Sequence, residues 1–123
     1  MSNVGINVSK NSLDVFIRPS EQALRFDNDD SGRAALTKQL KKIKPERIVL
    51  EATGGYELAA ANALAAAKLP VIVANPRQVR SFAIAIGRLA KTDKIDAELI
   101  ARFAESVQPE VDRKSGSAGM PRP

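Results

Sequence analysis

The order of apolar and polar residues changes along this chain, from short strand-like runs to an alternation of strands and helices. β-Branched or apolar runs at residues 4–8, 13–17 and 23–26 predict three strands, with a polar turn at residues 9–12. Apolar residues at helical spacing over residues 33–42, beside several lysines and arginines, predict an amphipathic helix with a basic outer face. The first third therefore predicts a small meander followed by a helix.

The rest of the chain predicts alternating strands and helices. Pro45 ends the first helix, and the pattern then predicts strands at 47–50 and 70–74 and helices at 56–68, 77–86 and 93–106. Such an order is typical of an α/β fold in which a mixed sheet is flanked by helices on both faces. Functional side chains in sheets of this kind gather at the carboxyl ends of the strands.

Composition narrows the chemistry that this chain can perform. The 123 residues fit one domain, and with neither cysteine nor histidine there is no thiol chemistry and no histidine-based acid–base catalysis. The net charge of +5 favours a polyanionic partner. No apolar run approaches the roughly 20 residues that cross a bilayer, and the first residues lack a signal-peptide pattern. We therefore expect a cytoplasmic protein without a membrane partner.

Two carboxylates, Asp93 and Asp96, lie three residues apart in a segment that also contains Lys91 and Lys94. In a helix they would share one face, where their repulsion would be relieved by a divalent cation. The alternative is a solvated helix N-terminus, in which Thr92 or Asp93 caps the helix and the acids favour its dipole. The spacing alone leaves both interpretations open.

Further oxygen donors follow two of the predicted strands. Glu51 comes directly after a buried strand, and Asn7 lies near the end of the first strand, which we expect to be its neighbour. If Asp93 and Asp96 pack across the same strand ends, three carboxylates and one amide oxygen meet there. Such a set suits Mg²⁺ or Mn²⁺ and phosphodiester cleavage at a two-metal site.

Four segments carry a resemblance to a known family: residues 4–10 (VGINVSK), 51–56 (EATGGY), 75–80 (NPRQVR) and 89–97 (LAKTDKIDA). Together they closely resemble the N-terminal domain of the DEDD transposases of the insertion-sequence 110 family, which includes pilin-gene invertases. The resemblance covers roughly residues 3–107. It implies a ribonuclease H-like (RuvC-like) fold whose four acids bind divalent metal. Glu51, Asp93 and Asp96 match the second, third and fourth acids.

The first acid of the family falls on Asn7, and this departure predicts impaired catalysis. Asparagine offers a neutral carbonyl oxygen, which lowers both the charge of the site and its metal affinity. Asp14 is not expected to compensate, because a hairpin that turns at residues 9–11 would pair residue 7 with residue 13 and place Asp14 on the opposite face.

The resemblance also sets expectations for the domain boundaries and the partners. We expect a transposase domain at residues 1–107 and a disordered tail at 108–123, without the serine-bearing C-terminal domain of the family, so that the chain would be inactive alone. In the intact protein, the family implies DNA cleavage and strand transfer, a structured guide RNA as a further partner, and a homo-oligomer.

Basic residues that flank the proposed cleft in sequence are candidates for phosphate contacts: Lys10, Arg77, Arg80, Arg88 and Lys91. Solvated helix charges are the alternative for the same residues. For the chain as a whole, the main alternative is a non-catalytic nucleic-acid-binding or oligomerisation module that retains the fold. An actin-like ATPase is disfavoured, because residues 5–9 contain too little glycine for a phosphate-binding hairpin.

Overall fold

The computed structural model of this chain describes residues 1–89 and 94–111. The elements in chain order are β1 (Asn3–Val8), β2 (Ser12–Arg18), β3 (Gln22–Asp27), α1 (Asp30–Ile43), β4 (Arg47–Glu51), α2 (Leu58–Ala66), β5 (Val71–Ala74), α3 (Pro76–Ala85) and α4 (Ala97–Val107). Every predicted strand and helix is thus present, with boundaries that differ by up to three residues and with a larger difference at the start of α4. That helix begins at Ala97, and Asp96 before it has an extended backbone.

Within the described residues the strands form one five-stranded mixed sheet in the order β3-β2-β1-β4-β5. The meander β1-β2-β3 is antiparallel, whereas β4 and β5 run parallel to β1. The mixed sheet and its helices confirm the predicted fold class. The central position of β1, between β2 and β4, brings the strand that carries Asn7 beside the strand that ends at Glu51.

Helices cover both faces of the sheet, and each face has its own core. On one face, Ile6 and Leu50 pack with Leu36 and Leu40 of α1 and with Leu64 of α2. On the other face, the core joins the remaining pair of helices to β4 and β5; its buried members include Val49, Ile72, Val79, Ile100 and Phe103. Alternate residues of β1 and β4 therefore point to α1 and α2 or to α3 and α4.

Helix α4 crosses β1 at Gly5, where only hydrogen fits between the two backbones. A Cβ added to Gly5 would lie 2.5 Å from the carbonyl oxygen of Ala97 and 2.8 Å from the carbonyl carbon of Ile100, and closer still to the Ala101 nitrogen. The absent side chain lets the helix pack directly on the sheet. The close crossing fixes the position of the α4 N-terminus relative to β1.

The described chain continues past α4, which ends at Val107, through residues 108–111 without helix or strand. Residues 112–123 lie outside the described residues, so the predicted disordered tail stays a prediction. No described helix is both long enough and apolar enough to cross a bilayer.

Candidate metal centre

Asn7 and Glu51 stand side by side at the carboxyl ends of neighbouring parallel strands. Ile6 of β1 pairs with Leu50 of β4, so the next residue of each strand also lies at the same level. Both side chains point to the face that α3 and α4 cover, because Ile6 and Leu50 belong to the core of the opposite face. The structure thus brings together these two predicted site residues.

One carboxylate oxygen of Glu51 accepts no hydrogen bond from the described residues. Its Oε2 is buried, and within the described residues it has no hydrogen-bond partner. Burial raises the pKa of the Glu51 carboxyl above its ordinary value, while the positive charge of Arg80 on α3 acts in the opposite direction. A carboxylate oxygen that is kept from water and has no hydrogen-bond donor is suited to accept a cation.

Asp96 lies at the same edge of the sheet as Asn7 and Glu51. Helix α4 runs antiparallel to β1: its first residue, Ala97, lies over Gly5, and near its end Glu105 Oε1 accepts a hydrogen bond from Arg18 Nε at 3.1 Å. Because Arg18 pairs with the first residue of β1, the N-terminus of α4 points toward the carboxyl end of that strand. Asp93 lies outside the described residues.

Asp96 is itself the N-cap of α4, and its Oδ1 accepts a hydrogen bond from the Leu99 backbone N–H at 2.9 Å. The expectation that Thr92 or Asp93 caps this helix is therefore wrong, and the capping role belongs to Asp96. A helical arrangement with Asp96 inside the first turn is also wrong. The side chain is exposed, so its carboxylate is accessible from the edge of the sheet.

The donor atoms of Asn7, Glu51 and Asp96 are of the type that hard divalent cations prefer, although only two of these side chains are carboxylates. All donors are oxygens, and the buried Oε2 of Glu51 is the atom that a cation would satisfy best. Among residues 1–89 and 94–111, no three acidic side chains form a group able to hold a metal ion. Only two of the four family positions, Glu51 and Asp96, are acids within those ranges.

The expected orientation of Asp14 is wrong. Asn7 pairs directly with Asp14, and Val8 pairs with Leu13, so the hairpin register is shifted by one residue from the predicted one. Directly opposite residues in an antiparallel pair share a face, and Asp14 therefore points to the same side as Asn7. Its carboxylate forms an ion pair with Arg25 of β3 at 3.4 Å.

The predicted phosphate-binding residues have different surroundings. Lys10 is exposed in the turn after β1, and Arg77 is exposed in the first turn of α3. Arg80 lies one turn further along that helix and interacts electrostatically with Glu51. Arg88 forms an ion pair with Glu98 in the first turn of α4 at 3.3 Å. Lys91 lies outside the described residues.

Sequence reasoning missed Glu57, which organises the loop between Glu51 and α2. Its Oε1 accepts hydrogen bonds from the backbone N–H groups of Thr53 at 2.9 Å and Gly55 at 3.0 Å, and from the Thr53 hydroxyl at 3.1 Å. Burial acts to raise the Glu57 pKa, but these hydrogen bonds outweigh it and lower the pKa. The sequence signal for this role is that Glu57 directly precedes an alanine-rich helix, at the N-cap position where Ser, Asp or Asn is usual.

Comparison with known proteins places the chain in a family. A family model described as a transposase, covering the DEDD proteins of insertion sequence 110, matches residues 4–114. The chain belongs to this DEDD transposase family. The match contains Asn7, Glu51, Asp93 and Asp96, the residues that the sequence resemblance assigns to the four acid positions.

Two curated relatives of this transposase-family chain are the pilin gene-inverting proteins of Moraxella lacunata and Moraxella bovis. Each is 30% identical over 112 residues, which cover 86% of this chain and 35% of the relative. The chain thus spans about a third of the length of these relatives.

Solved structures of RuvC share the fold. Thermus thermophilus RuvC in complex with a Holliday junction substrate superposes with a TM-score of 0.58 at 16% identity, over 87% of this chain and 96% of that one. A second Thermus thermophilus RuvC structure gives a TM-score of 0.53 at 20% identity, over 100% of this chain and 84% of the other. The transposase-family chain therefore has a RuvC-like, ribonuclease H-like fold, as predicted.

Proposed function

We propose that residues 1–107 form the metal-dependent nuclease domain of a DNA transposase or site-specific recombinase, weakened here by Asn7. The observation that carries the proposal is the placement of Asn7 and Glu51 on neighbouring strand ends, with the buried Glu51 Oε2 directed to the face that α4 covers. Membership of the transposase family supports the reaction class.

The residues that would hold Mg²⁺ or Mn²⁺ are Glu51, Asp93 and Asp96, with the side-chain carbonyl oxygen of Asn7. A divalent ion bound there would supply Lewis-acid stabilisation of the charge that develops when a phosphodiester is cleaved. Glu51 contributes a fixed anionic oxygen on a rigid strand end. Arg80, which already lies within electrostatic range of Glu51, is suited to neutralise a phosphate brought to the same edge.

Asn7 changes the strength of the site more than its shape. An amide oxygen keeps a donor on the central strand, but the site loses one negative charge relative to the family pattern. Divalent cations bind more weakly as anionic ligands are removed. We therefore infer weak metal binding and low cleavage activity for this chain, with both restored by Asn7→Asp.

DNA is the partner that fits a transposase, and the net charge of +5 suits a polyanion. Lys10 and Arg77 are exposed at the strand-end edge and would contact the phosphate backbone. The Holliday junction bound to the RuvC structure supports branched DNA as the substrate class. For the intact protein, we further propose that it carries out strand transfer, binds a structured guide RNA and forms a homo-oligomer.

One observation favours a second function, a non-catalytic nucleic-acid-binding or oligomerisation module with the same fold. Asn7 removes an acid while Glu51 and the strand pairing around it are retained. In this case the edge would bind a polyanion without cleaving it. DNA binding that is insensitive to both Mg²⁺ and Asn7→Asp would support the alternative.

Calorimetric titration with Mg²⁺ and Mn²⁺ separates the two functions. The proposed nuclease domain should bind Mn²⁺ weakly as it stands, and at least about 10-fold more tightly with Asn7→Asp, because a carboxylate replaces an amide at the first position. Asn11→Asp, in the exposed β1–β2 turn, adds the same charge away from β1 and is the matched control. Equal affinity in all three chains would overturn the proposal.

A further inference from the structure

Glu57 is a buried acid that the proposed chemistry does not use. Only 7% of its surface is exposed. Its Oε1 gathers three donors from the preceding loop, two of them backbone N–H groups and one a hydroxyl. The Glu57 carboxylate therefore satisfies loop donors that would otherwise need another hydrogen-bond acceptor.

The loop that Glu57 holds contains two glycines, Gly54 and Gly55, whose own backbone is flexible. Ideal Cβ atoms built on Gly54 and Gly55 would meet nothing within 4 Å among the described residues, and both glycines have positive φ angles, of 80° and 122°. Such residues restrict their own backbone very little. Thr53 follows Glu51 by two residues, so an ordered backbone at Thr53 and Gly55 limits the motion of the chain that comes directly after Glu51.

A second side chain connects this loop to the turn after β1. Asn28 Nδ2 donates to the carbonyl oxygen of Ser9 at 2.9 Å and to that of Tyr56 at 3.3 Å. Its Oδ1 accepts a hydrogen bond from Arg33 Nη1 at 2.7 Å, which holds the amide in place. Asn28 thus joins the segment that follows Asn7 to the segment that follows Glu51.

We propose that Glu57 and Asn28 are positioning residues for the metal centre and act by fixing the loops that follow Glu51 and Asn7. The inference rests on the proposed function, because it concerns the same edge of the sheet. In metal sites, outer-shell groups orient the residues that bind the metal without binding it themselves, and we assign this role to Glu57 and Asn28. The backbone N–H groups of Thr53 and Gly55 are consequently engaged by Glu57.

The first test needs no metal. Carbodiimide labelling of the native chain, read by mass spectrometry, gives the reference rate for modification of Glu51, whose Oε2 is buried. Glu57→Ala should make labelling of Glu51 faster, since water and reagent reach the side chain once the loop opens. Glu105→Ala, which removes an ion-paired acid at the opposite edge of the sheet, is the matched control and should leave Glu51 labelling unchanged.

The second test measures the consequence for metal binding. In the Asn7→Asp background, Glu57→Ala and Asn28→Ala should each weaken Mn²⁺ binding about 10-fold, as loss of outer-shell partners does elsewhere. Glu57→Gln, which keeps an acceptor oxygen, should retain more affinity than Glu57→Ala. Circular dichroism at the titration temperature confirms that every variant is folded.

The outcomes separate this inference from the proposed function. Unchanged Glu51 labelling in folded Glu57→Ala overturns the inference, as does unchanged Mn²⁺ affinity. If labelling changes but the Asn7→Asp parent binds no metal, Glu57 positions Glu51 and the proposed function is wrong.

Discussion

Asn7 lies directly opposite Asp14 in the antiparallel pair of β1 and β2. Both side chains point to the face that α4 covers, so a carboxylate at position 7 would stand beside a second carboxylate as well as beside Glu51. The asparagine removes a like-charge contact across the strands. It also removes one negative charge from the proposed metal centre. The same residue should therefore stabilise the metal-free domain and weaken its binding of metal.

The Asn7→Asp variant should therefore be less stable than the native chain when no metal is present. Like charges at directly opposite strand positions cost about 0.2–1 kcal/mol. Urea denaturation at pH 7 in the presence of a chelator measures the difference. Adding Asp14→Asn to Asn7→Asp should recover most of the loss, and a double variant as unstable as Asn7→Asp would show that the cross-strand contact is not responsible.

Glu51→Gln should stabilise the metal-free domain at neutral pH. Burial raises the pKa of Glu51 in the folded state above its ordinary value of 4.5, so the folded chain holds the charged form less readily than the unfolded chain does. The resulting penalty is absent below pH 4.5, grows as the pH rises through that value to the folded pKa, and is then constant. Arg80 offsets part of it.

Denaturation of the native chain and Glu51→Gln between pH 3 and pH 8 measures this difference. We expect a gain for Glu51→Gln of about 1 kcal/mol or less at pH 7, because only one partly shielded charge is removed. The gain should vanish in acid. A gain of equal size at every pH would contradict the role given to the charge.

Glu57 should show the opposite pH dependence. Its folded pKa lies below its ordinary value of 4.5, so its contribution to stability is complete above pH 4.5 and is lost as the pH falls through the folded pKa. Glu57→Ala should cost about 1–3 kcal/mol at pH 7, because it leaves loop N–H groups without their acceptor. Thermal denaturation at pH 7 and at pH 3 provides the measurement, and equal losses at both would exclude the charge as the cause.

Gly5→Ala should be strongly destabilising, because the added Cβ would enter the backbone of α4 at Ala97 and Ala101. Overpacking of this kind costs about 1–3 kcal/mol or more. Gly87→Ala is the comparison: its Cβ would meet nothing within 4 Å among the described residues, and it bears only the strain of a φ of 74°, about 1–2 kcal/mol. A Gly5→Ala loss no larger than that of Gly87→Ala would mean that α4 is displaced from β1 at little cost.

Much of this architecture could be predicted from residue patterns. The strands that carry Asn7 and Glu51 near their ends have strong β-branched runs, and parallel pairing of buried strands predicts that their ends meet. The register of the β1–β2 hairpin was less predictable. The observed turn is one residue longer than the predicted one, which places Asp14 on the same face as Asn7, and nothing in the local sequence distinguishes the two turn lengths.

The start of α4 and the role of Glu57 could not be predicted for a related reason. Asp93 and Asp96 are both acceptable N-caps, so the local sequence does not determine which of them precedes α4, and in the structure it is Asp96. Glu57 acquires its function only when the loop folds back on it. Both features depend on packing between segments that are distant in the sequence or on the conformation of an irregular loop.

Asn7, Glu51 and Asp96 are proposed to border one divalent-metal site. Paramagnetic broadening by Mn²⁺ tests it most directly, in ¹⁵N-labelled protein carrying Asn7→Asp. At substoichiometric Mn²⁺, the backbone amide signals of Val8, Ala52 and Ala97 should broaden first, while those of Arg18 and Arg47 at the opposite edge of the sheet stay sharp. Adding Glu51→Gln should suppress the effect. Broadening that is uniform over the chain, or centred away from these strand ends, would contradict the account.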